Sequence, residues 1–312
     1  MIIVLVLWSG VAWSARTRPD ETYYSDRFIF LGNNIDTPVL MVVVFNRGRS
    51  NQKNYGEFIG ALFDRGVWNY LEGSDLYPYP QGRINFSEIR PSYYARVTGS
   101  PTAGFRLHYD GGDATVTLAS GPFRPHVTDS RKSYPQSKMG QAEALLALRG
   151  KNFWGRMIHT SEVWPGLDGL KQHRDLYKTA YRFYLILDAG PEIRYIHKNQ
   201  QEVTSSAHTL VRLPREHTLR FYQNPQNPQD QIDSLEGNVA ITPLEIARLW
   251  LGLFSVPERW RVEIPSKETL DLWSRGRVRR GGRTRHYLMA IEGLINRHSG
   301  QQRVWGLLEY LP

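Results

Sequence analysis

The stretch Gly104-Phe-Arg-Leu-His-Tyr-Asp-Gly-Gly-Asp-Ala-Thr-Val-Thr-Leu118 decides the fold class. Phe105, Leu107 and Tyr109 alternate with Arg106, His108 and Asp110, a period of two that puts the apolar residues on one face of an extended chain. Asp110-Gly-Gly112 is turn punctuation, and Ala114-Thr-Val-Thr-Leu118 resumes the same grammar with β-branched residues. The segment reads as two antiparallel strands with one buried face.

Working outward, Arg27 to Leu31, Val39 to Phe45 and Tyr55 to Phe63 carry strand patterns. They are separated by Asn33-Asn34, Asp36-Thr-Pro38 and Arg47-Gly48, at the short spacing of an antiparallel meander. The second half repeats this with Tyr181 to Leu187, Ile193 to His197, Thr209 to Leu213, Leu219 to Tyr222, Trp260 to Ile264, Tyr287 to Ile295 and Arg303 to Tyr310. Two helices are expected to interrupt the strands. One is the Ala/Leu-rich Lys138 to Leu148; the other starts at Thr242-Pro-Leu-Glu245, with Thr as cap and Pro in the first turn, and runs to about Leu253. Phe153-Trp-Gly-Arg156 and Val304-Trp-Gly-Leu307 fall where each strand series closes, which suggests a weakly duplicated architecture with a boundary near residues 165–176.

Composition narrows the chemistry. The 312 residues contain no cysteine, which excludes disulfides, thiol nucleophiles, thiolate zinc sites and iron–sulfur clusters. Phosphate-loop, nucleophile-elbow and HExxH motifs do not occur, and nine histidines include no HxH or HxxxH pair, so no metal or cofactor is expected. Nine Trp, seventeen Tyr and twelve Phe suit either the walls of an apolar pocket or ordinary β-core packing. Met1 to Ala15, MIIVLVLWSGVAWSA, reads as a secretory signal over residues 1–14, although no Lys or Arg precedes its apolar run. An exported protein, periplasmic or secreted, is therefore expected. Two regions follow, 15–170 and 171–312.

The net charge of +9 is concentrated in Arg275-Gly-Arg-Val-Arg-Arg-Gly-Gly-Arg-Thr-Arg285, six arginines without an acid around a Gly281-Gly282 turn. This is either a solvated hairpin whose charges protect a sheet edge or a finger in which Arg279, Arg280, Arg283 and Arg285 meet an anionic membrane surface. Export argues against nucleic acid as the partner. A monomer is expected.

The signal-like start, the two aromatic-rich meanders, Phe153-Trp-Gly-Arg-Met-Ile-His-Thr-Ser-Glu162 and the terminal VWGLLEYLP resemble the AttH-like and carotenoid 1,2-hydratase superfamily of tandem lipocalin-like β-barrels. The resemblance covers nearly the whole mature chain, in layout rather than in a continuous motif. It implies an all-β chain with two antiparallel barrels side by side, and a largely apolar cavity for isoprenoid or polyketide ligands. It also implies activities among hydratases, isomerases and cyclases. The aromatic-His-Trp signature of the hydratases is only partly echoed, by Trp154, His159 and Trp164.

Proton transfer to an apolar unsaturated ligand needs an acid or imidazole in a dry cavity. Glu309, His159 and Glu162 are the candidate acids, with Trp154, Trp164 and Trp305 as candidate ligand-binding walls. His159 and Glu162 lie three apart on one strand and therefore on opposite faces unless a bulge intervenes. A strand histidine can equally be a satisfied structural residue. Glu309 and Glu292 can equally pair with arginines such as Arg303 or Arg156 at a barrel rim, and Asp188 before Ala189-Gly-Pro191 fits a turn. Two functions fit: a cofactor-independent hydratase, isomerase or cyclase, or a non-catalytic carrier of a hydrophobic small molecule.

Overall fold

The computed structural model describes residues 22–50, 53–72, 76–77, 88–89, 94–111, 114–128, 136–165, 180–188, 193–199, 216–224, 227–235, 240–249, 254–264, 268–279, 287–297 and 300–311. The leader at 1–14 lies outside them. Every regular element among the described residues is a strand. The first sheet is built from β1 (Thr22–Gly32), β2 (Leu40–Ser50), β3 (Lys53–Asp64), β4 (Val67–Glu72), β5 (Leu76–Tyr77), β6 (Glu88–Ile89), β7 (Ala95–Ser100), β8 (Gly104–Gly111), β9 (Ala114–Ser120), β10 (Arg124–Thr128), β11 (Gln136–Leu148) and β12 (Lys151–Pro165). The second contains β13 (Ala180–Leu187), β14 (Ile193–Asn199), β15 (Glu216–Asn224), β16 (Asn227–Leu235), β17 (Ala240–Leu249), β18 (Phe254–Ile264), β19 (Glu268–Arg279), β20 (Tyr287–Arg297) and β21 (Gly300–Leu311).

The main path of the first sheet runs β4-β3-β2-β1-β12-β11-β9-β8-β7-β6, and the second runs β16-β15-β14-β13-β21-β20-β19-β18-β17. In both, three further strands lead one way from the first strand, and the last strand of the series pairs on its other side. A long sheet with an apolar face buries it by curling. Phe58 on β3 and Leu71 on β4 share a core with Ala95 and Val97 on β7, residues from opposite ends of the same sheet. Trp260, Leu272, Met289 and Phe183 form the equivalent interior of the second barrel. A third core lies between them. It joins Ile29, Val42 and Ile158 of the first sheet to Tyr184, Ile186 and Trp305 of the second. The alternation along β1 therefore has two buried destinations: Phe28 and Phe30 point into the first barrel, Ile29 and Leu31 toward the second.

The duplicated Trp-Gly pairs have a physical basis here. Gly155 lies on β12 across from Gly32 on β1, and Gly306 lies on β21 across from Leu185 on β13. A Cβ on Gly155 would collide with the Leu31 carbonyl, and one on Gly306 with the Tyr184 carbonyl. Each closing strand thus approaches the opening strand of its series at a point with no room for a side chain.

Neither expected helix forms. Residues 138–148 belong to β11, paired with β12 along its length and with β9 at its end. Ala142, Ala144, Leu146 and Leu148 are buried while Glu143 is exposed, a period of two that outweighs the helical propensity of Ala and Leu once both neighbours offer ladder partners. Thr242 to Leu249 lies in β17, which among the described residues is an edge strand paired only with β18. Its register shifts around Pro243, Glu245 and Ile246, which is how an edge strand accommodates proline. Residues 250–253 lie outside the described residues.

Candidate active site

His159 sits on β12 across from Phe28 on β1 and from Gly140 on β11. It shares the inward face with Met157, so the imidazole enters the first barrel. Phe28 stacks on it with centroids 4.8 Å apart, Phe105 lies at 4.9 Å and Phe123 at 5.8 Å. Gly140 has no side chain to crowd the ring from the other strand. Asp26, two residues before Phe28 and on the same face, places Oδ1 2.9 Å from His159 Nε2. The two side chains are 0% and 3% exposed. A buried carboxylate beside Nε2 fixes the orientation of the imidazole. Asp26 was not among the candidates named from sequence. Its alternation with Phe28 and Phe30 marked it as an acid on an apolar face, but its partner is 133 residues away in sequence.

Glu309 occupies the space between the barrels. It follows Trp305 and Leu307 on the face of β21 that meets the first sheet. Its Oε1 lies 3.4 Å from Arg27 Nε of β1, and its Oε2 lies 3.6 Å from Arg182 Nη1 of β13. All three side chains are 3% exposed or less. The expected pairing with arginine occurs, but in a buried three-charge cluster that ties the sheets together, not at a rim, and with Arg27 and Arg182 in place of Arg303 or Arg156. Glu309 and His159 therefore face different compartments.

Glu162 and Trp164 lie on β12 across from Ser25 and Tyr23 of β1; their side chains are outside the described set. The ladder from Gly32↔Gly155 to Thr22↔Pro165 runs without a register shift, so the bulge needed to bring His159 and Glu162 together is not there. Trp154 is 66% exposed, whereas Trp305 is buried in the core between the barrels. Glu292 accepts a hydrogen bond from Trp273 Nε1 at 2.5 Å and pairs with Arg275 at 2.6 Å. Asp188 is an exposed turn residue. In the arginine hairpin, Arg277 pairs with Glu258, and Arg279 at the end of β19 is exposed. Arg280, Arg283 and Arg285 lie outside the described residues. Among the described residues no group of three or more His, Asp or Glu is placed to hold a metal ion.

A cleft of about 540 Å³ opens at the end of the first barrel, where the β1–β2, β3–β4 and β11–β12 turns gather beside β19. Val39, Phe63 and Phe153 contribute apolar surface, and Arg65, Lys151 and Arg275 contribute positive charge. Trp68 Nε1 donates a hydrogen bond of 3.0 Å to the Gly276 carbonyl and so fixes β19 at this edge.

Two curled antiparallel sheets packed through a shared apolar core are also found in solved structures. Kievitone hydratase from Nectria haematococca superposes with a TM-score of 0.59 at 11% identity, over 95% of this chain and 91% of that one. A putative AttH from Nitrosomonas europaea gives 0.57 at 11% identity, over 93% and 92%. The fold is AttH-like. No family model matches the sequence, and no curated protein matches it either. The AttH-like fold thus accounts for nearly the whole chain at an identity that speaks for architecture alone.

Proposed function

We propose that this AttH-like protein is a cofactor-independent hydratase, isomerase or cyclase acting on an apolar unsaturated ligand, with His159 as the proton-transfer group and Asp26 as its positioning residue. The observation that carries the reading is the buried His159–Asp26 pair inside an aromatic shell. Proton transfer to a carbon–carbon double bond needs an acid away from bulk water and a π face against the developing positive charge, and Phe28 and Phe105 supply such faces beside the ring. In the hydratase version, protonated His159 gives its proton to one alkene carbon, and water adds to the other. The proton lost by that water returns to His159, so the protonated imidazole is regenerated and the product is an alcohol. In an isomerase or cyclase the return proton comes from carbon instead. The reading includes an exported monomer.

The test is mass spectrometry of lipid extracted from the purified protein, followed by incubation of the recovered molecule with wild type, His159→Asn and Asp26→Asn. Turnover lost in His159→Asn and reduced in Asp26→Asn, with both variants folded, supports the enzyme. An extracted molecule that wild type leaves unchanged favours the carrier, for which the solvent-open cleft at the barrel end is the supporting feature.

A further inference from the structure

The cleft at the end of the first barrel combines an apolar floor with charges whose partners are mostly fixed. Val39 and Phe63 are buried, and Val39 and Phe153 also pack with the interior of the first barrel. Of the two acids on the rim, Asp36 is held by both terminal nitrogens of Arg303 at 3.1 Å. Asp64 lies 3.8 Å from Arg149 and 3.9 Å from Arg65. Arg275, which the second sheet contributes, is committed to Glu292. Lys151 is exposed, and no carboxylate among the described residues pairs with it.

From these observations we infer that the cleft binds the carboxylate head of an amphiphilic ligand, with Lys151 as its counter-charge and Val39, Phe63 and Phe153 against the first part of its apolar tail. One uncommitted ammonium matches a single negative charge. The other lining cations, Arg65 and Arg275, already face Asp64 and Glu292, so the second charge of a phosphate monoester would have no counter-charge of its own. The site is composite, since Arg275 reaches it from the second barrel. From Phe153 to His159 is six residues of β12, about 20 Å at the rise of a strand, so a head held at Lys151 leaves the reactive carbons well along the tail. The inference deepens the apolar-ligand reading and rests on it for the tail; the head-group contact is measured separately from turnover.

The experiment titrates the full chain with cis-parinaric acid and with its methyl ester at low and high salt, using Lys151→Glu and Thr37→Trp as variants. Thr37 is an exposed lining residue, so the tryptophan fills the cleft without touching a core. The acid should bind wild type roughly 3- to 10-fold more tightly than the ester at low salt, the scale of a partly exposed charge-assisted contact, and salt should narrow the gap. Lys151→Glu should remove the preference while sparing the ester, and Thr37→Trp should weaken both probes with an unchanged circular dichroism spectrum. Equal binding of acid and ester, binding of neither, an unchanged preference in Lys151→Glu, or stronger displacement by lysophosphatidate than by oleate would each overturn the assignment. His159→Asn should keep the preference for acid over ester, so failure at the cleft and failure of the proton-transfer reading are separable.

Discussion

Replacing Glu309 by Leu should destabilise the protein more than any substitution in the catalytic reading. The carboxylate stands between Arg27 and Arg182 with no exposed surface of its own. Its removal leaves two guanidinium groups in a site where water cannot screen them. Removing one partner of a buried ion pair costs about 3–5 kcal/mol, most of it the desolvation of what remains. At 2–4 °C per kcal/mol for a unit of this size, the melting temperature should fall by about 6–20 °C. Thermal unfolding followed by near-ultraviolet circular dichroism, with urea titration beside it, measures both quantities. The triple variant Arg27→Met, Arg182→Met, Glu309→Leu should be more stable than the single one, because the charges leave together and the methionines fill the space. A Glu309→Leu protein within 1 kcal/mol of wild type, or a triple variant as unstable as the single, would refute the account of Glu309 as a tie between the barrels. So would a Glu309→Gln protein of wild-type stability with no turnover, since that would make the carboxylate catalytic.

Gly306→Ala should cost about 1–3 kcal/mol, because the atom in the way is the Tyr184 backbone carbonyl and cannot rotate aside; a melting temperature unchanged within error would contradict the close approach. Burial first, and then the neighbouring phenols of Tyr181 and Tyr287, push the Tyr310 hydroxyl well above the ordinary tyrosine range. The unfolded chain releases that proton near pH 10 while the folded one keeps it, so stability should fall as pH rises above about 10. Tyr310→Phe should flatten the decline in denaturation scans taken between pH 9 and 11, and equal slopes would dismiss this residue as its source. For the arginine hairpin, replacing Arg279, Arg280, Arg283 and Arg285 by Ser should lower co-sedimentation with anionic vesicles at low salt if the segment meets a membrane. Equal partitioning of wild type and variant would leave edge protection as its account.

Local alternation made the strands legible. Phe105, Leu107 and Tyr109 are buried and Arg106 and Asp110 exposed, as their period of two requires. The same rule was present in Ala142, Ala144, Leu146 and Leu148, but composition concealed it, since Ala and Leu favour helix wherever no sheet competes for the backbone. Residues 242–249 gave no period to read because most of β17 is exposed, leaving only a capping pattern that an edge strand can also carry. His159 was legible as a candidate and Asp26 was not, because their hydrogen bond joins the first strand of a sheet to its last. Glu309 was read either as a candidate acid or as the partner of an arginine such as Arg303 or Arg156 at a barrel rim. Which arginines, and in which compartment, depended on how one sheet docks on the other, and single-chain periodicity does not encode that.

The pairing of first strand with last has a kinetic consequence. Partners along β1 and β12 are separated in sequence by 123 residues (Gly32 and Gly155) to 143 residues (Thr22 and Pro165). Long loops must close before such contacts return any stabilisation, and chains dominated by them fold slowly. Until β12 leaves the ribosome, β1 has an unpaired edge and Phe28 and Phe30 lack their closing wall. The second series faces the same delay, since Ala180 pairs with Leu311 at the extreme end of the described chain. Each half must therefore be almost completely synthesised before it can seal, and the interval in which its first strand stands open is the period of greatest exposure to aggregation.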